Sequence, residues 1–338
     1  MAVRDELVEQ GVRFLQHPKV QDTPLSERLL FLEKKGLTPQ EIAQALKQND
    51  EKNAARAAQA VESVVSFAFL AFTSNNWRMR SRIGVIVGGN VGLGQLIAVK
   101  LAKEGATLAI VGSSSASASN SPQTKGVEAQ IQALPGATPA KLYEGELQDW
   151  SFVDATYSAI AKAFGRIDFV VNCVPAPKDS GVKPSALVDI DASAWDEAMG
   201  VSAKSVFLSC KRAIQQMLTQ DSSAIRGRIV NISSLYGMVA RKGHFTFGVG
   251  KAVIVQLTRQ IAAEYAASGI VCNAVAPGFI DDSISRDDCL APASNNRIPA
   301  EEPGKAMDVA NAVTFLVSDD ARYVHGVNLL VDGGYMAT

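Results

Sequence analysis

The run from Ile83 to Gly105 constrains the fold most. Five apolar residues, IGVIV, pass into Gly88-Gly89-Asn90-Val91-Gly92-Leu93-Gly94, and a helical pattern then continues to Lys103-Glu104-Gly105. A buried strand that turns through glycine straight into a helix is the opening of a βαβ unit. The same alternation recurs downstream, with TLAIV, KLYEG, IDFVV, GRIVNIS, IVCNAVA and VNLLVDGG separated by amphipathic helical stretches. Short strands joined by helices imply right-handed crossovers, so the expected fold is α/β, a doubly wound parallel seven-stranded Rossmann sheet covered on both faces. No internal repeat is apparent.

The 338 residues exceed one ordinary domain, and the first fifty read differently. Leu7, Val8, Val12 and Leu15 share one helical face, and Pro18 stops that run. Thr23-Pro24 predicts an N-cap and first helical residue for a second helix with Leu25, Leu29, Leu30 and Leu32, closed by Lys34-Lys35-Gly36. Thr38-Pro39-Gln40-Glu41 is a capping box for a third, with Ile42, Ala45 and Leu46 buried. The expected organisation is a three-helix domain over 1–48, a linker with an apolar helix over 49–80, and the α/β domain over 81–338. The apolar stretch Val64 to Phe72 falls short of the roughly 17 to 25 residues of a bilayer span; docking on the main domain is favoured, with peripheral membrane contact the alternative. The N-terminus has no apolar signal core. Net charge is -1, which disfavours nucleic acid and anionic membrane as partners. Cys173, Cys210, Cys272 and Cys289 lack CxxC spacing, so they are expected as reduced, core-filling thiols without a metal site.

Glycines at 88, 92 and 94 sit where missing side chains let backbone approach a pyrophosphate at a helix N-terminus. With Asn231-Ile232-Ser233-Ser234, Lys251, Pro277-Gly278 and Val331-Asp332-Gly333-Gly334, the stretch from 82 to 338 resembles the short-chain dehydrogenase/reductase family. The resemblance implies that Gly88, Asn90, Gly92, Leu93 and Gly94 line the diphosphate of a nicotinamide dinucleotide. It also implies that Leu147 and Asn172 flank the adenosine half, that Lys251 binds the ribose hydroxyls, and that Pro277, Gly278 and Ile280 border the nicotinamide. At the end of the second strand Gly112-Ser113-Ser114-Ser115 carries no acid to bind a ribose 2′-hydroxyl, which favours NADP(H), with Ser113 among its contacts. That turn also lacks an arginine, which leaves NAD(H) open. An aspartate at 112 is expected to reverse the preference.

The family's catalytic pattern is an asparagine, a serine, a tyrosine and, four residues later, a lysine, with the lysine assisting the tyrosine as acid/base. The matching positions here are Ser202, Ser234, Phe247 and Lys251, and phenylalanine has no proton to give. Asn172-Cys173-Val174-Pro175 also departs from the family's Asn-Asn-Ala-Gly, and Asp282 replaces a threonine. Tyr236 could supply the missing hydroxyl: if the chain stays extended after Ser234, the two side chains face the same way. A tyrosine there is similar to the 2,4-dienoyl-CoA reductase branch of the family, so the candidate catalytic set is Ser234, Tyr236 and Lys251. The alternative is that Tyr236 only packs at the cleft edge. His244 is expected to be a loop residue. The helix from Trp195 to Leu218, with Val201, Val206, Phe207, Leu208 and Ile214, is the expected seam of a homodimer or homotetramer, together with the helix after Lys251.

Residues 4–46, above all Phe14-Leu15-Gln16, Pro24-Leu25-Ser26 and Phe31 to Thr38, resemble the N-terminal domain of the fourteenth peroxin, which binds an aromatic-bearing helix of the peroxisomal import receptor. The resemblance implies that Phe14 and Phe31 wall two pockets, that Lys35 meets acidic groups of that receptor, and that the chain is associated with the peroxisome, with the cytoplasm as alternative. Two readings stay open. One is a peroxisome-associated NADP(H)-dependent reductase of a small molecule, an acyl-CoA-like or carbonyl substrate. The other is a non-catalytic adaptor built on a degenerate reductase fold.

Overall fold

The computed structural model describes residues 4–17, 20, 23–52, 79–113, 126–174, 186–221, 225–281 and 298–337. The chain divides into two compact units, Met1–Asn75 and Asn76–Thr338. The expected apolar helix at Val64 to Phe72, most of the serine-rich stretch after Ser113, the segment from Asp282 to Arg297 and Cys289 lie outside the described residues.

In the first unit, α1 (Asp5–Leu15), α2 (Leu25–Lys34) and α3 (residues 39–52) enclose Val8, Val12, Leu15, Leu32, Leu37, Ile42 and Ala45. Gly36 takes the left-handed backbone (φ +85°) that ends α2, as a C-terminal glycine should. The capping box forms: the Thr38 N–H donates to Glu41 Oε2 at 2.8 Å, and the Glu41 N–H donates to Thr38 Oγ1 at 3.3 Å. Glu41 does more than cap. Its carboxylate, buried, also accepts from Arg4 Nε and Nη2, each at 2.8 Å, and these bonds hold its pKa well below the usual carboxylate range.

Two boundaries differ from the sequence reading. Helix α2 begins at Leu25 with Pro24 flanking it, and the Thr23 carbonyl accepts from Arg28 Nε at 2.8 Å instead of Thr23 capping with its hydroxyl. Helix α3 continues through residue 52, the last described residue of this stretch and past the expected linker start, and Asn49 in it is buried.

The second unit contains β1 (Ile83–Val87), α4 (Gly92–Lys103), β2 (Thr107–Gly112), α5 (Val127–Gln132), β3 (Lys141–Glu144), α6 (Trp150–Phe164), β4 (Phe169–Asn172), α7 (Ala192–Met199), α8 (Ser205–Leu218), β5 (Gly227–Ile232), α9 (Phe245–Tyr265), β6 (Ile270–Pro277), β7 (Ile280–Asp281), β8 (Gly304–Lys305), α10 (Ala306–Leu316) and β9 (Asn328–Val331). Seven strands form one sheet in the order β3-β2-β1-β4-β5-β6-β9, every pair parallel. Strands buried on both faces read as unbroken apolar runs, which is why they were legible. Alternate residues feed opposite layers: Ile86, Ile110 and Val171 pack with Ile97, Leu101 and Val313, whereas Val85, Val111 and Val170 pack with Tyr157, Ile160 and Ile214. Each large side chain so buried contributes about 1.5–3 kcal/mol.

The helix expected from Trp195 to Leu218 is interrupted by a π turn, Gly200–Lys204, between α7 and α8. Ser202 Oγ donates to the Ala198 carbonyl at 2.5 Å and Ser205 Oγ bonds the Val201 carbonyl, and such back-bonding bends helices. The expected oligomer seam also needs correction: Val206, Leu208 and Ile214 are buried in the chain's own core, leaving Phe207 and Leu218 as the exposed large apolar groups of α8.

Cys173, Cys210 and Cys272 are buried and form no disulfide among the described residues, and burial pushes the Cys210 thiol up to about 12. Among the described residues no three His, Cys, Asp or Glu side chains gather as a metal site, and no helix is long and apolar enough to cross a membrane.

Candidate active site and dinucleotide cleft

The sheet order reverses direction between β1 and β4, and the carboxyl ends of the strands there form the crevice where open α/β sheets bind ligands. The candidate residues are drawn from that rim. Gly88 to Gly94 follow β1, Ser113 follows β2, Leu147 lies beyond β3, Asn172 ends β4, Ser234 follows β5, and Pro277 and Gly278 close β6.

Two glycines are required by sterics. Gly88 has φ +76°, and a Cβ there would lie 2.2 Å from the Cys173 carbonyl oxygen; a Cβ at Gly94 would lie 2.1 Å from the Gly88 carbonyl oxygen. Helix α4 therefore starts hard against the end of β1. Its flanking residue Val91 offers no side-chain cap, so the first-turn N–H groups meet no hydroxyl or carboxylate from it. A cradle that Cβ atoms would fill, at an uncapped helix N-terminus beside Leu93, fits the diphosphate of a dinucleotide.

At the second strand, Asn90 Nδ2 donates to the Ser113 carbonyl at 3.2 Å, and a Cβ on Gly112 would lie 2.2 Å from Asn90 Cγ. An aspartate at 112 would therefore have to displace the buried Asn90, and Ser113, half-buried at the rim, is the better position for that change.

Three further candidates serve packing. Leu147 is buried beneath the strand ends with Val85, Val111 and Val153. The Asn172 amide lies inside a buried relay: Ser209 Oγ donates to Asn172 Oδ1 at 2.5 Å, Asn172 Nδ2 to Asn231 Oδ1 at 2.8 Å, and Asn231 Nδ2 to Thr258 Oγ1 at 2.9 Å. Only the backbone of Asn172 is thus left for a ligand. Ile280 is buried in the short β7–β8 ladder, paired with Gly304. Gly278 N–H donates to the Val331 carbonyl at 2.8 Å, tying β6 to β9.

On the catalytic side the chain does not stay extended after Ser234. Ser234 Oγ accepts from the Tyr236 N–H at 3.3 Å and caps a 3-10 turn, Leu235–Gly237. The local hydroxyl-to-backbone bond outcompetes continued strand. The expected same-face argument for Ser234 and Tyr236 therefore fails, and tertiary packing positions the tyrosine instead. Its ring lies 6.4 Å from Phe247, edge-on, and 6.5 Å from Phe279. Lys251 Nζ lies 5.7 Å from the Phe247 ring centroid and donates to the Ile232 carbonyl at 3.0 Å. Lys251 is only 7% exposed, and burial lowers its pKa, with a smaller opposing influence from Cys173. Ser202, where the family's asparagine is expected, bonds the Ala198 carbonyl and packs against Gly250.

Two residues at this site were missed in the sequence. Arg241 Nη1 donates to the Tyr236 hydroxyl at 2.5 Å, with its guanidinium 5.4 Å from the ring centre. His244, read as a loop residue, flanks the start of α9 and stacks on Tyr236 at 5.6 Å; burial, then Arg241, lower its pKa. No spacing rule links 236 to 241, so no signal in the sequence announced the pair. Chemically, the phenol accepts from a cation and keeps its own proton to donate, and the same cation would stabilise the phenolate left behind.

In the first unit, Phe14 and Phe31 stack face to face, 4.4 Å between centroids and 16° between planes, with Lys35 Nζ 5.5 Å from the Phe31 ring. Phe31 remains 41% exposed. The expected three residues come together, as one aromatic ridge with a cation at its end.

Residues 87–336 match the family model described as Enoyl-(Acyl carrier protein) reductase, and residues 3–48 match the Pex14 N-terminal domain. The chain belongs to the short-chain dehydrogenase/reductase family, whose members use a nicotinamide dinucleotide, NAD or NADP. It is 32% identical to the 2-(R)-hydroxypropyl-CoM dehydrogenase of Xanthobacter autotrophicus over 76% of this chain and 99% of that protein. It is 31% identical to the (3R)-3-hydroxyacyl-CoA dehydrogenase of Canis lupus familiaris, over 76% and 97% respectively. Among solved structures it resembles levodione reductase, with TM-score 0.67, 29% identity and coverage of 77% and 99%.

Proposed function

We propose that the second unit is an NADP(H)-dependent reductase of a conjugated acyl thioester, with Tyr236 as proton donor, and that the first unit binds the peroxisomal import receptor. The observation that carries the catalytic part is the Arg241–Tyr236 hydrogen bond beside Phe247 and Lys251. Gly88, Asn90, Gly92, Leu93 and Gly94 would hold the diphosphate, Ser113 the 2′-phosphate, Lys251 the nicotinamide ribose, and Pro277 and Gly278 the edge of the ring. A bound reduced nicotinamide supplies a hydride. Hydride arriving at the β-carbon of an enoyl thioester leaves an enolate, which needs one proton and tolerates a weak acid. The Tyr236 O–H breaks to give that proton, the phenolate is held by Arg241, and solvent reprotonates it. A substrate with a thioester accords with a relative named for a 3-hydroxyacyl-CoA substrate.

The peroxisomal part rests on the match of residues 3–48 and on the exposed Phe31. A buried aromatic anchor commonly carries 2 kcal/mol or more of a small interface. Phe31→Ala in the full chain is expected to weaken capture of the import receptor by roughly 30-fold, as titration calorimetry would read. Undiminished capture by a Phe14→Ala/Phe31→Ala variant that is still folded would remove this half of the proposal. A second reading, an adaptor without catalysis, is favoured by Phe247 and Ser202, which supply neither proton nor amide. Reduction of a conjugated enoyl thioester, followed by loss of NADPH absorbance, separates the two: no turnover of enoyl thioesters or ketones by a chain that binds NADPH leaves the adaptor.

A further inference from the structure

At the opposite end of the sheet, the amino ends of β1, β4 and β5 border a cavity of about 440 Å³ lined by Arg82, Arg166, Arg226, Arg228 and Arg322, with Asp168 and Asp319. Five guanidinium groups against two carboxylates leave three positive charges in excess. The carboxylates are already committed. Asp319 accepts from Arg82 at 2.5 Å and from Arg228 at 2.6 Å, and Asp168 accepts from Arg166 Nε at 2.7 Å and from the Ile83 N–H at 2.8 Å.

Arg228 is only 4% exposed, and its Nε is buried with no hydrogen-bond partner. Leaving a guanidinium donor unmet in the interior costs about 1–3 kcal/mol or more. The Arg322 guanidinium, exposed at the rim, makes no hydrogen bond or ion pair among the described residues. Ser81, also in the lining, holds the left-handed backbone at φ +65°. A structural ion-pair network would balance its charges. This one is cationic and concave, and its volume lies in the range of small-molecule sites.

We propose that this cavity binds a small molecule bearing two or more phosphate groups, at a site distinct from the dinucleotide cleft. Guanidinium is the group suited to such a ligand, because its planar fork pairs phosphate oxygens bidentately and stays charged at every physiological pH. Arg322, with the outer faces of Arg166 and Arg226, would grip the phosphates, while Arg82 and Arg228 add field from below through their shared carboxylate. Strand β5 joins this cavity, at Arg228, to the Ile232 carbonyl that holds Lys251.

The test uses the full chain and inorganic pyrophosphate, with binding read by titration calorimetry in wild type, Arg322→Gln and Arg166→Gln/Arg322→Gln. Arg322 has no ion pair to lose and Arg166 is at the surface, so both variants are expected to fold. The glycine turn after β1 is the same in all three proteins, so any pyrophosphate held there is common to them. Arg322→Gln is expected to weaken pyrophosphate binding about 10-fold, and the double variant further, with all affinities falling as salt rises. Repeating the series with ADP separates the sources: an affinity lost in Arg322→Gln that is larger for ADP than for pyrophosphate assigns a nucleotide, and an equal loss assigns the diphosphate group alone. Identical isotherms for the three proteins, or no binding to wild type, would overturn the proposal.

Discussion

The two halves of the crevice at the carboxyl ends of the strands are built from different materials. On the side of β1 and β2 the recognition surface is backbone: Gly88 and Gly94 are excluded from carrying Cβ by carbonyl oxygens about 2 Å away, and α4 presents its own N-terminus. On the side of β5 and α9 the surface is side chains, and there the family's pattern has changed at Ser202 and Phe247. The difference teaches where such a fold can vary. A backbone cradle fails with one methyl group, whereas a proton donor can be moved to any neighbouring element that aims a hydroxyl into the same space. On the reading proposed above it sits on the 3-10 turn after Ser234, where Arg241 donates to the Tyr236 hydroxyl.

The sharpest way to break that comparison is Tyr236→Phe. If the relocated phenol is the acid, turnover of an enoyl thioester should fall roughly 10²-fold or more while NADPH affinity is unchanged. Equal rates in wild type and variant would return Tyr236 to a packing role among Phe247, Phe279 and His244.

Gly94→Ala probes the other half. Its Cβ would meet the Gly88 carbonyl oxygen at 2.1 Å, a backbone atom that cannot swing aside. Overpacking of this kind costs about 1–3 kcal/mol, and it falls where the diphosphate must approach. Dinucleotide binding is expected to weaken by ten- to a hundred-fold, with a parallel drop in melting temperature. An alanine variant that binds NADPH as wild type does would show the cradle to be structural only.

How much of this was legible follows the same division. The seven strands, the glycine turn and the capping box at Thr38 were readable because each depends on local chemistry: continuous apolar runs, φ-permissive residues, and a hydroxyl three residues from a glutamate. The π turn at Gly200–Lys204, the 3-10 turn at Leu235–Gly237 and the meeting of Arg241 with Tyr236 were not. The turns are settled by competition between serine hydroxyls and backbone carbonyls, and the meeting by the path of a loop; neither leaves a periodic trace. Exposed and buried faces were misread on α8 for a related reason, since Val206, Leu208 and Ile214 are apolar whether they face a partner or their own core.

Arg241→Leu should have a smaller effect than removal of the phenol, because the proton remains and only its stabilising cation is lost. A hydrogen bond to a charged group contributes about 1.5–3 kcal/mol, so kcat is expected to fall by about ten- to a hundred-fold with KM little changed, and Arg241→Lys should recover part of it. Loss confined to KM would assign Arg241 to substrate binding and detach it from Tyr236.

The smallest expected effect, and the one that bears most on cofactor choice, is at Ser113. The end of β2 offers no carboxylate: Gly112 has no side chain, Asn90 fills the space above it, and Ser113 is a short neutral group at the rim. Ser113 itself brings no negative charge to repel a ribose 2′-phosphate and no carboxylate to accept from a ribose 2′-hydroxyl. Ser113→Asp changes both terms at once. The carboxylate would repel the phosphate across a few ångströms of partly solvated space and accept a hydrogen bond from the hydroxyl. Each tenfold change in affinity corresponds to about 1.4 kcal/mol, and a rim charge is partly screened. NADPH binding is therefore expected to weaken about tenfold and NADH binding to tighten by less than that. Placing the acid at 112 would confound the measurement, because its Cβ must first displace Asn90, 2.2 Å away, from the buried seat it shares with the Ser113 carbonyl. If wild type binds both cofactors equally and Ser113→Asp alters neither, the second strand does not select the cofactor, and the adenine half recognises the diphosphate alone.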